Sequence, residues 1–430
     1  MKDNIGTQKL VKEPTPLYRW IVLVFISLAM FGNYYVYDAI SPLADLLKSQ
    51  LHFSDKNIGM LNAIYSIPNI IMVLIGGLII DRIGTKKSSF IFSFLCMVGA
   101  FVTAFSGGSF PVMVAGRLIF GLGAESLIVA ITTILAKWFK GKELSFAFGL
   151  NLTVARLGSF AALNSPTWAM SFYETWKAPL IITTVAAVIS VLSVILYIVM
   201  EVEAKKRYTL LGAEEKQDKI VLKEIFSFKP SFWFITLLCV TFYSAIFPFQ
   251  TFAIKLFIEH HGLTRGAAGF ASSVITLASM IGTPLFGLFI DWKGKRASLM
   301  ILGSLMIVPV YLLMVYTPIH PLILMSVMGL AFSLVPAAMW PSIALIVEEK
   351  KLGTAYGLMT MIQNIGLAGF NLLIGWANDI STTNGITDYS LGMWFFSITG
   401  FAGLFFAIML RRQETGPNGH GLELGRKATN

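Results

Sequence analysis

Long apolar runs alternate with short polar segments over the whole of the 430-residue chain. Each run is close to the length of about 20 residues that an α-helix needs to cross a bilayer. The first run lacks a short apolar core with a small-residue cleavage site, so we interpret it as a permanent span and not as a signal peptide. The runs lie at 18–41, 58–80, 88–106, 111–136, 144–166, 178–200, 232–257, 267–290, 298–316, 320–347, 353–377 and 390–410. The pattern predicts an all-α membrane protein with twelve transmembrane helices.

The charge distribution indicates how these runs are oriented. Hydrophobic residues make up 56% of the chain and charged residues 13%, with a formal net charge of +10. Most lysines and arginines lie in the chain ends and in the loops after the even-numbered runs, as do Arg82, Lys86 and Lys137. Basic residues accumulate on the cytoplasmic side of membrane proteins. We therefore predict cytoplasmic termini, and we attribute the positive charge to topology and not to nucleic-acid binding. The lysine-rich loops and the short tail further favour a prokaryotic plasma membrane.

An internal repeat divides the chain in two. The segment from Gly77 to Lys87 after the second run recurs as Gly287 to Arg296 after the eighth. A second repeat matches 142–158 with 350–366 and makes Asn364 the counterpart of Arg156. Parallel six-helix halves with a substrate site between them at mid-depth are expected from such a repeat. The predicted parts are a first half (1–200), a cytoplasmic linker (201–230), a second half (231–412) and a cytoplasmic tail (413–430).

The repeated loop, with the pattern G-x-x-x-D-R-x-G-x-K-K, resembles the signature of the major facilitator superfamily. This resemblance implies the major-facilitator fold, in which two pseudo-symmetric halves rock around a central site. It also implies that Asp81, Arg82 and Asp291 act in gating and conformational change, not in substrate contact. The alternative is that these charges only set the topology.

Two charged residues lie where a membrane helix tolerates them least. Glu125 and Arg156 are each about a dozen residues from both ends of their runs, which at 1.5 Å per residue places them near the bilayer midplane. A charge there costs at least about 2.5–3.5 kcal/mol, so it usually faces a partner or an aqueous cavity. An acid and a base at one depth suit a zwitterionic solute. The alternative is an internal salt bridge between Glu125 and either Arg156 or Arg117.

Other polar and aromatic residues complete the predicted site. Arg117 lies nearer the outer end of its run, where a structural or conformational role is favoured. Asp38 fits either a gate or an amine-binding role. Gln363 and Asn364 are adjacent, so we expect only one of them, Asn364, to face the cavity. Tyr243 and Gln250 are further candidates. The remaining ones, each of which could instead be a packing or interfacial residue, are Tyr34, Tyr37, Tyr65 and Trp340.

Several stretches resemble one branch of the superfamily, the lysosomal dipeptide transporters. Examples are Gly116-Arg-Leu-Ile-Phe-Gly-Leu-Gly-Ala-Glu125, Ala155-Arg156-Leu-Gly158 and Trp340-Pro341, and the resemblance covers most spans of both halves. It implies facilitated diffusion of dipeptides, with Glu125 binding the peptide ammonium and Arg156 the carboxylate. The implied partners are small zwitterionic peptides and membrane lipid. A monomer without an accessory subunit is expected.

Other functions remain open at this point. The superfamily includes proton-coupled carriers, so a symporter of dipeptides or small organic anions is one alternative. A membrane sensor or scaffold that does not transport is another. An enzyme is not expected, because no nucleophile–base set or metal cluster is visible, and neither a cofactor nor a metal is predicted.

Overall fold

The computed structural model describes residues 14–139, 143–208, 228–348, 351–417 and 419–424. Side chains are described throughout these ranges except at Val73, Leu74, Asp81 and Ser145. The first half contains α1 (Pro16–Asp38), α2 (Ala44–Leu51), α3 (Asp55–Ala63), α4 (Ser66–Ala104), α5 (Phe110–Phe139), α6 (Leu144–Leu163), α7 (Ser165–Trp168) and α8 (Lys177–Arg207). The second half contains α9 (Pro230–Glu259), α10 (Arg265–Lys293), α11 (Arg296–Tyr316), α12 (Pro321–Ile346), α13 (Leu352–Ile380), the antiparallel strands β1 (Thr382–Thr383) and β2 (Ile386–Thr387), and α14 (Ser390–Glu414).

Within the described residues, eleven helical segments are long and apolar enough to cross a membrane. The predicted run at 58–80 is instead divided between α3 and the first part of α4. The break lies between Ala63 and Ser66, just before Pro68, which a helix accommodates in its first turn because proline has no N–H to donate. Gly84 then divides α4 with φ 80° and ψ 160°, a conformation that residues with a side chain rarely adopt. The first copy of the repeated motif therefore contains a sharp turn that requires glycine.

The two ends of the helical bundle differ in how the halves meet. We call the end at which α1 begins the terminal end, and the opposite end the far end. Tyr18 at the start of α1 donates to the Met200 carbonyl in α8 at 2.6 Å, and Ser231 at the start of α9 donates to Glu414 in α14 at 2.5 Å. The first and last long helices of each half thus meet at the terminal end, within that half.

The halves are packed against each other at the far end. There α3 crosses α13 so closely that a Cβ atom on Gly59 would lie 2.2 Å from the Asn371 carbonyl oxygen. A Cβ atom on Gly375 would lie 2.4 Å from the carbonyl oxygen of Asp55. Glycine at both positions allows this backbone contact, and α10 packs on α6 and α7 in the same region. The fold is thus an all-α membrane bundle of two halves that is closed at its far end.

Candidate functional site

A cavity of about 710 Å³ lies between the two halves. Its wall is formed by residues of α1, α5 and α6 from the first half and of α9, α10, α12 and α13 from the second. The wall includes Gly149 of α6, Gly287 of α10 and Pro341 of α12, each within about two turns of the terminal end of its helix. The cavity therefore extends toward the terminal end and is closed toward the far end. Its volume is in the range of small-molecule sites.

Most of the residues predicted to bind the solute lie in this wall. They are Tyr34, Tyr37, Asp38, Glu125, Arg156, Tyr243, Trp340 and Asn364. Tyr65 and Gln250 lie outside the wall. The Tyr65 ring is buried against Tyr37, with centroids 4.6 Å apart, so it supports a cavity residue from behind. Gln250 follows Pro248 in α9 and is buried in the part of that helix that approaches the far end.

We predicted that only Asn364, and not Gln363, faces the cavity, and this prediction is wrong. Both residues line it, together with Thr360 and Leu367. Gln363 and Asn364 lie three and four residues after Thr360, and residues at both spacings lie on the same face of a helix. A cavity wall built on this stripe of α13 therefore includes both amides. Asn364 donates to the Thr360 carbonyl at 3.0 Å, whereas Gln363 accepts a contact from the Cys239 thiol at 3.6 Å.

Glu125 and Arg156 line the same cavity without being joined to each other. Among the described residues, no ion pair or hydrogen bond connects them, and neither makes one with Arg117. The central guanidinium carbon of Arg156 instead lies 5.7 Å from the centroid of the Tyr34 ring. An internal salt bridge is therefore absent in this conformation. Both charges are available to a bound solute.

Aromatic side chains form most of the second half's contribution to the wall. The Trp340 indole donates to the Tyr243 hydroxyl at 2.9 Å, and the rings of Tyr243 and Phe247 stack with centroids 5.6 Å apart. Phe332 completes the group with its ring 5.6 Å from that of Phe247. Phe332 was not among the predicted residues, although Phe332, Pro336 and Trp340 recur at intervals of four residues along α12. That interval is the helical signal that could have identified it.

Arg117 has a structural role next to the cavity. Its guanidinium donates to the carbonyls of Val36 at 2.9 Å, of Tyr37 at 3.1 Å and of Leu61 at 3.1 Å. These carbonyls belong to the last turns of α1 and α3, where backbone acceptors have no partner within the helix. A cation there also complements the negative ends of both helix dipoles. Arg117 therefore joins the ends of two helices and fixes Tyr37 in the cavity wall.

We expect Arg117→Met to destabilise the folded protein by about 3 kcal/mol, because several buried carbonyls lose their only charged donor. Arg117→Lys should be intermediate, since an ammonium cannot reproduce the planar set of donors. Thermal unfolding of the purified protein in detergent measures the effect. Arg82→Met, at an exposed position of α4, is the control. An Arg117→Met protein that melts together with the Arg82→Met protein would contradict the structural role.

The residues of the repeated loop motif, Asp81, Arg82 and Asp291, lie at the terminal end. Asp291 forms an ion pair with Arg296 at 2.7 Å, and Arg82 is exposed. The side chain of Asp81 is outside the described part of the structure. A gating role for Asp81, Arg82 and Asp291 stays a prediction.

The far end contains a buried ion pair that was not predicted from the sequence. The ammonium of Lys255 in α9 contacts both carboxylate oxygens of Asp55 in α3, at 2.5 and 2.6 Å, and both side chains are fully buried. The Glu259 carboxylate lies 3.7 Å from the same ammonium and accepts a hydrogen bond from Tyr389 at 2.5 Å. Burial, together with Glu259, raises the pKa of the Tyr389 hydroxyl well above its ordinary range, so Tyr389 remains a donor. A lone lysine in the apolar stretch Phe252–Phe257 was the available signal.

Two further ionic contacts cross between the halves at the far end. The Asp379 carboxylate of α13 accepts the backbone N–H groups of Asp55 at 2.6 Å and Lys56 at 2.9 Å, at the N-terminus of α3. A carboxylate is favourable there because the first N–H groups of a helix are unpaired and carry partial positive charge. Arg265 of α10 binds Asp45 of α2 through both of its terminal nitrogens. Closure of the far end is therefore electrostatic as well as apolar.

No cofactor site is indicated by the described side chains. Among them, no group of three or more His, Cys, Asp or Glu residues is placed to hold a metal ion. The two cysteines, Cys96 and Cys239, are buried free thiols.

The chain is similar to known membrane transporters. A model of the Major Facilitator Superfamily matches residues 26–370 and 249–427. The lysosomal dipeptide transporter MFSD1 of Danio rerio is 35% identical over 377 residues, which cover 85% of this chain and 81% of that protein. The transporter of the same name from Homo sapiens is 33% identical over 375 residues, covering 84% of this chain and 81% of that protein.

A solved structure shows the same fold at low sequence identity. A bacterial homologue of the human lysosomal transporter Spinster, in an inward-facing and occupied conformation, matches with a TM-score of 0.74. The match covers 93% of this chain and 98% of the other, at 16% identity, and so concerns the fold alone. The relatives named above are transporters and not enzymes, which confirms that prediction. The chain therefore belongs to the major facilitator superfamily, as a membrane transporter related to the lysosomal dipeptide transporters called MFSD1.

Proposed function

We propose that the protein carries dipeptides across the membrane by alternating access, as a facilitated-diffusion uniporter. The observation that carries this proposal is that Glu125 and Arg156 line one cavity without pairing with each other. Two unpaired charges of opposite sign are costly in a membrane protein unless a ligand compensates them. A zwitterionic peptide supplies both counter-charges at once. The names of the relatives from Danio rerio and Homo sapiens support the same substrate class.

Each charge has a distinct part in the proposed binding. The guanidinium of Arg156 presents a planar set of donors that matches a carboxylate, so it would hold the peptide C-terminus bidentately. The carboxylate of Glu125 would accept the peptide ammonium. Side chains of the peptide would then lie against Tyr243, Phe247 and Trp340, whose rings accommodate apolar groups without strict selection.

The same peptide provides a reason for uniport. Because a zwitterion neutralises both Glu125 and Arg156, the loaded cavity needs no additional proton to balance these two charges. Reorientation with the peptide bound would then be independent of the proton gradient. A second carboxylate in the wall, Asp38, favours the alternative of proton-coupled transport, since it has no counterpart on a zwitterion.

The orientation in the membrane is part of the proposal. Basic residues such as Arg82, Lys86, Lys137 and Lys293 lie at or near the terminal end, which we therefore assign to the cytoplasm of a prokaryotic cell. With that assignment, the structure corresponds to the inward-facing state, closed toward the outside. Asp81, Arg82 and Asp291 would act at the cytoplasmic end during closure.

Dipeptide counterflow in proteoliposomes, with and without an imposed pH gradient, tests the proposal. We expect saturable uptake of several dipeptides at a rate that an inward proton gradient does not increase. Acceleration by the gradient would replace uniport with proton symport. Uptake of N-acetylated peptides or plain carboxylates as fast as free dipeptides would favour an anion carrier that uses Arg156 alone. Binding without flux in folded protein would indicate a sensor or scaffold.

A further inference from the structure

The Arg156 guanidinium lies over two aromatic rings that belong to different halves. Its central carbon lies 5.7 Å from the ring centroid of Tyr34 on α1 and 5.6 Å from that of Phe332 on α12. Tyr34 moves with the first half, as Arg156 does, whereas Phe332 belongs to the second half. The cation at the centre of the proposed site is therefore contacted across the cavity by one particular ring.

The Phe332 ring cannot turn away easily, because other rings surround it. Its centroid lies 5.6 Å from that of Phe247, 5.9 Å from that of Tyr243 and 6.5 Å from that of Phe242. The residue is almost fully buried although it lines the cavity. A ring fixed in this way presents a constant surface to the cation.

The geometry of a cation–π contact explains what such a ring can do for Arg156. The ring attracts the guanidinium through its electron-rich face and does not accept the in-plane N–H groups as a carboxylate would. Among the described residues, no hydrogen bond or ion pair to a protein group engages those N–H groups. The two rings therefore hold the cation while its donors stay available for a ligand.

We propose that Phe332 is a positioning residue that keeps Arg156 ready for the peptide carboxylate, and that it does so only while the second half lies against the first as observed. This inference rests on the proposed binding of the carboxylate by Arg156. It adds that a residue of the opposite half sets the affinity for the carboxylate. Carboxylate binding and the arrangement of the halves are then coupled through one aromatic contact.

The test compares a free dipeptide with its C-terminal amide, two solutes that share their side chains and ammonium group. KM is measured for both by counterflow in wild type and in Phe332→Leu. We expect Phe332→Leu to raise the KM of the free dipeptide about tenfold, in line with the loss of one desolvated cation–π contact. The KM of the amide should stay within about twofold, because Arg156 does not bind a carboxylate in that case. Phe332→Tyr, which keeps the ring, should restore the wild-type preference.

Trp340→Leu is the matched control, since this ring lines the same aromatic surface and, among the described residues, no ring contact joins it to Arg156 or to Phe332. It should raise both KM values by the same factor. The inference would be overturned if Phe332→Leu changed the KM values of the two solutes by the same factor, so that their ratio stayed as in wild type. If Phe332→Leu does not fold, Phe332→Met replaces the ring by an unbranched apolar chain and gives the same comparison.

The same data separate this inference from the proposed function. Wild-type protein that transports the amide as well as the free dipeptide would refute carboxylate binding by Arg156, and with it the role of Phe332. A wild-type preference for the free dipeptide that Phe332→Leu leaves intact would refute only the role of Phe332.

Discussion

Arg156→Ala raises the KM for dipeptide counterflow at least about 30-fold, because truncating one partner of a buried charged contact costs about 2–5 kcal/mol and 1.4 kcal/mol corresponds to a factor of ten. The variant removes the donors for the peptide carboxylate and leaves that carboxylate without a counter-charge in the cavity. Arg156→Lys should lie between the two, since a single ammonium cannot form two parallel hydrogen bonds. Uptake is measured in proteoliposomes reconstituted at equal protein content.

Two substitutions, Arg156→Ala and Glu125→Gln, tested with the C-terminal amide and with the N-acetylated dipeptide, identify which peptide terminus each charged residue binds. The C-terminal amide should be a poor substrate for wild type and should lose little more in Arg156→Ala, because the interaction is already absent. The N-acetylated dipeptide should behave in the same way toward Glu125→Gln. Crossed pairs, such as the amide with Glu125→Gln, should show additive losses. This pattern is specific to a clamp of both termini.

Other outcomes have definite meanings. Equal dipeptide KM in wild type and in folded Arg156→Ala would refute the assignment of Arg156. Loss in Arg156→Ala together with normal transport in Glu125→Gln would favour the anion carrier. A pair that only joined helices would instead show equal losses for every substrate and a lower melting temperature in both variants.

The fold was predictable from the sequence because bilayer thickness and the absence of water restrict a long apolar run to one structure. The repeat then supplied the division into halves, and the Gly84 turn falls inside its first copy. The break at 64–65 was not predicted, because 58–80 has the pattern of one continuous apolar run. A broken helix is tolerated inside a membrane protein when side chains satisfy its free carbonyls, and Arg117 does so from another helix for the Leu61 carbonyl. That contact has no local signal in the sequence.

The residues of the candidate site were only partly predictable from the sequence. That Glu125 and Arg156 face a cavity could be predicted, because a charge at mid-depth is expensive wherever it occurs. The four-residue spacing places Phe332 on the same face of α12 as Trp340, but the sequence does not indicate its contact with Arg156, since an aromatic residue in an apolar run is equally consistent with packing. Lys255 was missed because its position near a helix end allows a lysine to reach the interface. Its full burial arises only from the closure of the far end by the two halves.

Two groups of charges have different consequences for transport. Among the described residues, the cavity charges Glu125 and Arg156 form no ion pair with each other, and Arg156 contacts only aromatic rings. Those at the far end, Lys255 with Asp55 and Arg265 with Asp45, are paired across the halves. Opening of the far end must separate these pairs, and water must then solvate them. In a carrier, the free energy of ligand binding in the cavity can offset the free-energy cost of separating these ion pairs.

Lys255→Met shifts the protein strongly away from the observed closed far end. The substitution leaves the buried Asp55 carboxylate without its main partner, and breaking a buried pair from one side costs about 3–5 kcal/mol. Because this cost applies only while Asp55 is buried, the substitution destabilises the closed arrangement of the far end and not the open one. The ratio of closed to open molecules should therefore decrease by at least about a hundredfold. Lys56→Met, which removes a neighbouring exposed lysine, should leave the ratio unchanged.

Reaction of a single introduced thiol with a membrane-impermeant maleimide measures this shift. Ser41→Cys places the thiol in the buried contact between the halves at the far end, and the native thiols of Cys96 and Cys239 are themselves buried. Labelling from the far side should be much faster with Lys255→Met than without it. Adding Asp55→Asn should slow labelling again, because removing both charges of a buried pair is often close to neutral. Fast labelling that persists in the double variant would assign the closure to the packing of the lysine chain, and unchanged labelling in Lys255→Met would show that the ion pair does not hold the far end closed.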